Sequence, residues 1–185
     1  MALFKLKRSG NPRDLEVSMV GLKLGSSFLY LGGADHDLIT TLSKIVGISG
    51  EASVAVDSSE AAQRITQAAK SAGLLVDIEN TRLDSLPYDA DSFDVVVANN
   101  LLDKLRINER VLCLQQALKV LRPQGRLVVI EPAPRGGLGA LFSQRAVDPI
   151  YLSNGGAETA LKAEGFRAIR SLGERAGKSF FEGTK

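Results

Sequence analysis

The chain has 185 residues, 44% of them hydrophobic and 24% charged, with a formal net charge of +2. That length suits one domain with a real core, and the near-neutral balance singles out no polyanionic partner. Aromatic residues make up 5% and Trp is absent, which weighs against a nucleic-acid surface built on base stacking. The single cysteine, Cys113, rules out an internal disulfide and a multi-cysteine metal site. It falls inside a predicted helix and reads as an inert core thiol. No stretch reaches the ~18 apolar residues of a transmembrane segment, and the N-terminus lacks the apolar run of a signal peptide. A cytoplasmic location is expected.

Residues 1–16 read as a flexible basic N-terminal arm. Lys5, Lys7, Arg8 and Arg13 precede the first acid, Asp14, and Ser9-Gly10-Asn11-Pro12 is a cluster of turn formers. A single domain is expected over residues 17–185. Val17 to Leu22 reads as a short helix. Phe28-Leu29-Tyr30-Leu31 is a short apolar run that stops at Gly32-Gly33, the pattern of a strand and a tight turn. From Asp37 to Val46, Leu38, Leu42, Ile45 and Val46 fall on one helical stripe. Ser53 to Asp57 is a second strand, Ser59 to Ala72 a helix stopped by Gly73, and Leu74 to Ile78 a third strand.

Phe93 to Ala98 is nearly all apolar, as in a strand buried on both faces. Val111, Leu114, Leu118 and Leu121 mark a helix over Asn108–Leu121, ended by Arg122-Pro123-Gln124-Gly125. Leu127 to Glu131 is a fifth strand. Residues 132–155, rich in Pro and Gly, read as a long loop. Ala157 to Glu164 is a helix stopped by Gly165. Two antiparallel strands then flank Glu174-Arg175-Ala176-Gly177.

Strands alternating with helices imply an α/β fold, a Rossmann-like doubly wound and mostly parallel sheet with a terminal antiparallel strand. Ligands in such sheets bind at the carboxyl ends of the strands near the switch in strand order. The segments of interest are therefore 32–37, 57–59, 79–84, 99–102 and 131–136.

Two stretches carry a family resemblance. Leu86-Pro87-Tyr88-Asp89-Ala90-Asp91-Ser92-Phe93-Asp94-Val95-Val96 resembles the "LPF-x-D-x-SFD-x-V" lead into a fourth strand, and Ala117 to Leu127 resembles an "R-x-L-K-P-G-G" passage into a fifth. In this order and spacing they resemble the class I S-adenosylmethionine (SAM) dependent methyltransferases, within them the quinone-biosynthesis C-methyltransferase group. The resemblance covers about residues 26–131 and the closing hairpin. It implies SAM as cofactor and a small-molecule acceptor.

The resemblance also implies a cofactor site, position by position. The first glycine motif, an acid followed by x-Gly-x-Gly-x-Gly, falls on Tyr30-Leu31-Gly32-Gly33-Ala34-Asp35-His36. Gly32 matches; Gly33 sits at an x position; Ala34 adds a methyl where backbone approaches ligand; His36 is larger than glycine; and Tyr30 replaces the carboxylate that helps hold the methionine end. Asp57, with Ser58 beside it, stands where the family places an acid on the ribose hydroxyls. The adenine acceptor's register falls on Arg82, which only donates; Asp84 is two residues on, and Leu83 would offer backbone N–H and an apolar wall. Asn99, after the fourth strand, would reach the methionine part. His36, the sole histidine, cannot complete a histidine-based metal set or triad and reads as a loop residue.

The favoured reading is a SAM-dependent methyltransferase with an unidentified small acceptor and no assignable catalytic residue. Methyl transfer depends mainly on holding nucleophile and methyl carbon at attack distance. The loop over 132–155 would admit the acceptor, or else serve as an oligomer or protein contact. The alternative is a non-catalytic binding or scaffold protein on the same fold, with SAM binding weakened by Tyr30, Ala34, His36 and Arg82. A dinucleotide dehydrogenase ranks below both: Gly32-x-Ala34-x-x-Asp37 is not G-x-G-x-x-G, and Asp37 would repel a pyrophosphate.

Overall fold

The computed structural model describes residues 12–33, 35–133 and 147–185. Seven strands form one sheet: β1 (Ser27–Leu31), β2 (Glu51–Val56), β3 (Asp77–Asn80), β4 (Phe93–Asn99), β5 (Leu121–Pro132), β6 (Arg167–Arg175) and β7 (Lys178–Thr184). Their order is β3-β2-β1-β4-β5-β7-β6. The first five strands are mutually parallel, and β7 runs antiparallel to both its neighbours. The α-helices are α1 (Pro12–Val20), α2 (His36–Val46), α3 (Ser59–Ser71), α4 (Ile107–Val120), α5 (Pro149–Ser153) and α6 (Gly156–Ala163).

Why these runs become strands follows from what lies on either side of them. Every residue of β1 is buried, so its side chains feed two cores in alternation. Phe28 and Tyr30 join Leu38, Leu42 and Ile65 from α2 and α3. Leu29 and Leu31 join Leu114, Ala117 and Leu161 from α4 and α6. The chain reverses direction across the sheet between β1 and β4, the switch point of a doubly wound fold. Leu31 pairs with Ala55 on one side and Ala98 on the other, so Gly32, Asp57 and Asn99 emerge together just past one edge of the sheet.

Several boundaries differ from the sequence reading. The first helix begins at Pro12, not Val17. Arg13 and Glu16, read as arm residues, are held by ion pairs to Asp35 (2.7 Å) and Lys178 (2.6 Å), and Arg126 bonds the carbonyl of Val20 at the other end of α1. The remainder of the expected arm, residues 1–11, lies outside the described residues. Strand β3 is Asp77–Asn80 rather than Leu74–Ile78, because Leu75 is left 92% exposed before the edge strand begins. The final strand pair is antiparallel, as the short connection implies. Strand β5 begins at Leu121, before the expected Leu127, and its pairing with β4 jumps from Phe93–Leu121 to Val95–Arg126, so Arg122 to Gly125, expected to end the helix, form an irregularity within the strand. Gln124 there takes φ +67°, a left-handed conformation usually left to glycine. Part of the long loop, Pro149–Ser153, is helical; residues 134–146 fall outside the described residues.

The β5–β7–β6 edge is closed by one buried acid. Glu182 is 4% exposed in its side chain and pairs with Arg126 at 2.8 Å and Arg170 at 2.6 Å. Replacing Arg126 with Met strands that carboxylate with only the exposed Arg170. Arg126→Met should cost about 3 kcal/mol, read as a lowered midpoint in urea unfolding, whereas Arg170→Met should cost less than about 1 kcal/mol because that arginine sits in solvent.

Candidate functional site

The turn after β1 is built around Gly32 and Asp35. Gly32 has φ +81°, and a Cβ there would meet Leu101 at 3.0 Å, so both conformation and space demand glycine. Its N–H bonds the carbonyl of Ala55 at 3.3 Å, tying the turn to β2. Gly33 is exposed and lies against the Asn99 carbonyl, 3.5 Å from where its Cβ would be. Ala34 lies outside the described residues. Asp35 caps α2 by accepting from the Leu38 N–H at 3.1 Å, while its second oxygen takes the Arg13 guanidinium at 2.7 Å. Burial works to raise the Asp35 pKa, but Arg13 and the Leu38 N–H outweigh it and hold the carboxyl below its ordinary range.

Tyr30, standing where the family has an acid, is fully buried, with its hydroxyl accepting from Asn99 Nδ2 at 2.7 Å. Burial raises the Tyr30 pKa, so the phenol stays neutral. Asn99 is 1% exposed and its Oδ1 has no partner among the described residues. In either orientation of the amide, one polar end is left open at the carboxyl end of β4. A buried polar group without a partner is rare and marks a place for a water or ligand.

Asp57 follows β2, exposed and without a hydrogen bond among the described residues. Ser58 is committed locally, its hydroxyl capping α3 by accepting from the Ala61 N–H at 3.4 Å. The third cluster is less open. Arg82, 83% exposed in its side chain, grips Asp84 through two N–H groups, one at 2.9 Å, and this hydrogen bond holds Asp84 below its ordinary pKa. Leu83 is buried between them in sequence and packs into the core under α4. His36 is exposed at the start of α2, with Nδ1 3.2 Å from Asp37. Cys113 is buried, and desolvation pushes its thiol up to about 12, in keeping with an inert core residue.

Gly32, Gly33, Tyr30, Asn99 and Asp57 thus converge on the β1–β4 switch point, and the Arg82–Asp84 pair lies on the loop after β3. The structure adds a second polar cluster that the sequence reading did not single out. Glu131, next to last in β5, is 3% exposed and takes the Tyr151 hydroxyl on Oε1 at 2.7 Å. Arg110 stacks on the Tyr151 ring, 4.3 Å from its centroid, and bonds the carbonyls of Leu102 and Leu105. Asp103, in the short 3₁₀ turn Leu102–Lys104, has a buried Oδ1 without a partner among the described residues. The available signal was an acid closing an otherwise apolar strand; its partner on α5 is twenty residues away, in what reads as a loop.

Burial pushes the Glu131 pKa up to about 7; the Tyr151 hydrogen bond pulls it down and the Asp103 charge adds to the rise. A carboxyl raised in the folded state binds more protons folded than unfolded between about pH 4.5 and 7. Its contribution is therefore complete at acid pH and is lost as pH climbs through 7. Relative to Glu131→Gln, the natural protein should lose on the order of 2–3 kcal/mol of stability between those limits, measured by urea unfolding of both proteins across the range. A second expectation concerns the other cluster. Tyr30→Phe removes the acceptor for Asn99 and should cost about 1–3 kcal/mol, read by the same method at fixed pH.

Residues 39–129 match the family described as "Methyltransferase domain". Among curated relatives, the ubiquinone/menaquinone biosynthesis C-methyltransferase UbiE of Klebsiella pneumoniae is 24% identical over 160 residues, covering 85% of this chain and 56% of that protein. The chain thus spans about half the length of the curated relatives it matches. A SAM-dependent methyltransferase from Aquifex aeolicus superposes with a TM-score of 0.77 at 16% identity, covering 94% of this chain and 89% of that one. The [4+2]-cyclase SpnF superposes at 0.69 with 17% identity, covering 94% and 79%. Domain match, relatives and strand order agree: residues 39–129 match a methyltransferase domain, and the chain has the fold of the class I S-adenosylmethionine-dependent methyltransferases.

Proposed function

We propose that the protein is a SAM-dependent methyltransferase acting on a small-molecule acceptor, with the cofactor across the carboxyl ends of β1, β2 and β4. The observation that carries this reading is the pairing of two uncommitted groups on either side of the Gly32 turn. The open Asp57 carboxylate suits a ribose diol, since it accepts two O–H bonds. The buried open amide end of Asn99 suits a polar group of the methionine part. Gly33 is exposed in the turn, with no side chain between a ligand and the backbone. In this reading Tyr30 acts through Asn99, holding its amide in place, rather than replacing the missing acid as a charge partner.

The bound cofactor would supply an electrophilic methyl group and leave as a neutral thioether. The chain's own contribution is to orient and to exclude water. Leu83 would wall the adenine side, and its backbone N–H would serve there; Arg82 and Asp84 bond each other, so that end would rely on backbone and apolar contact unless the pair opens. The acceptor would approach over the β4–β5 end, admitted by residues 132–155, whose other use would be contact with a partner or second copy. We place the protein in the cytoplasm, on the support of its single, free and buried thiol. Among the described residues no helix is long and apolar enough to cross a membrane.

A second reading is favoured by Tyr30 in the acid position and by the Arg82–Asp84 pair: a protein of this fold that uses its cleft for something other than methyl transfer. Its neighbour SpnF is described as a [4+2]-cyclase. Calorimetric titration with SAM and its demethylated product separates the two. The methyltransferase reading expects micromolar binding, weakened about 10- to 100-fold by Asp57→Ala. Absence of binding at millimolar ligand would leave the second reading standing.

A further inference from the structure

Glu131 is a buried carboxyl that the cofactor site does not use. It lies one residue beyond the level of Asn99, whose strand partner is Ile130, and shares a face of β5 with Leu127 and Val129. It therefore stands at the lip between β4 and β5, next to the switch point. Tyr151 from α5 donates to Oε1 at 2.7 Å. Oε2 has no hydrogen bond among the described residues, and no described cation forms an ion pair with Glu131. Arg110, the cation packed on Tyr151, instead directs two N–H groups to the carbonyls of Leu102 (2.7 Å) and Leu105 (2.9 Å). The groups that face Glu131 are thus Tyr151 on α5, Asp103 on the 3₁₀ turn and Arg110 on α4.

A structural role alone accounts poorly for a carboxyl here. Glutamine would accept the same Tyr151 hydrogen bond without the desolvation cost of a charge. What only a carboxyl offers is a site that takes and releases a proton. Leu102 and Val147 are buried in the same apolar cluster as Tyr151, which suits an acceptor carried on a hydrocarbon ring.

We propose that Glu131 is the proton acceptor for a hydroxyl-bearing, phenol-type methyl acceptor, with Tyr151 as the residue that positions its carboxyl. This rests on the methyltransferase reading above. The acceptor O–H breaks and its proton passes to Oε2 of Glu131. The freed oxygen pair forms the new O–CH3 bond, and the pair of the cleaved C–S bond stays on sulfur. Glu131 returns its proton to water after the product leaves. A carboxyl that titrates near neutrality matches the moderate acidity of a phenol better than that of an aliphatic alcohol.

The test uses the full chain, with Glu131→Gln and Tyr151→Phe, and SAM binding by calorimetry as the first measurement. Near-ultraviolet difference absorbance without cofactor should show a tyrosine signal that titrates near neutrality and vanishes in both variants. With SAM, the probes are phenol, 4-chlorophenol and 4-nitrophenol. Glu131→Gln should slow phenol methylation by about 100-fold or more, but 4-nitrophenol, already ionised at about pH 8, by less than about tenfold. Tyr151→Phe should keep activity on all three while shifting the pH profile of phenol methylation. Equal loss on every phenol, or no tyrosine titration, would overturn the assignment. So would methylation of none of them by a protein that binds SAM. Absence of SAM binding would instead remove the methyltransferase reading on which it rests. If Glu131→Gln fails to fold, Glu131→Asp replaces it: a shortened carboxyl should slow phenol and spare 4-nitrophenol, and equal loss on both again overturns the assignment.

Discussion

Strand β1 is buried along its whole length and hydrogen-bonded on both sides, so where it stops is fixed to within a residue. Everything at the candidate site hangs on that stop. The chain must turn at once out of a two-sided core, and only a residue free to take φ +81° against the Leu101 side chain can do it, hence Gly32. Because β2 and β4 run parallel to β1 in matched register, Asp57, just after β2, and Asn99, the last residue of β4, lie at the same end of the sheet as Gly32. The convergence of three segments distant in sequence is thus a result of strand register, and a shift of one residue would turn each side chain to the wrong face.

The turn is held from outside as well. Asp35 caps α2 and is gripped by Arg13 of α1, and Glu16 of α1 reaches Lys178 at the start of β7. Arg126 ties the other end of α1 to β5 and, through Glu182, to β7 and β6. The first helix is therefore a strap across the β1 turn and the antiparallel edge. Its ion pairs are partly buried, where screening by salt is weak, so they hold the turn's geometry better than surface pairs would.

The two polar clusters sit on opposite faces of the sheet. Tyr30 and Asn99 face the α1–α3 side, and Glu131 with Tyr151 faces α4 and α5. Each places a buried group with an incomplete hydrogen-bond set at the carboxyl end of an otherwise apolar strand, where the sheet gives way to loops. Such groups oppose stability and are retained where a ligand or proton completes them. The edge of the sheet away from these ends shows the reverse economy: Glu182 is just as buried, yet two arginines satisfy it.

The sequence by itself determined the α/β alternation, the buried character of β1, β4 and β5, the turn at Gly32 and the antiparallel closing pair. Each follows from local pattern: apolar runs between helical stripes, glycines at turns, and a connection too short for a crossover. It also singled out Asp57 and Asn99 by their place after strands. Only the tertiary structure decided that Pro12–Glu16 joins a strap helix, since Arg13 and Glu16 find their partners 22 and 162 residues away. Only it decided that β3 starts late, because an edge strand loses its apolar lead-in to solvent. Arg82 and Asp84 read as separate candidates until their side chains met. Glu131 read as the end of a strand until Tyr151 was placed against it. Periodicity and spacing act over a few residues, whereas burial and hydrogen-bond completion depend on which distant segments the fold brings together.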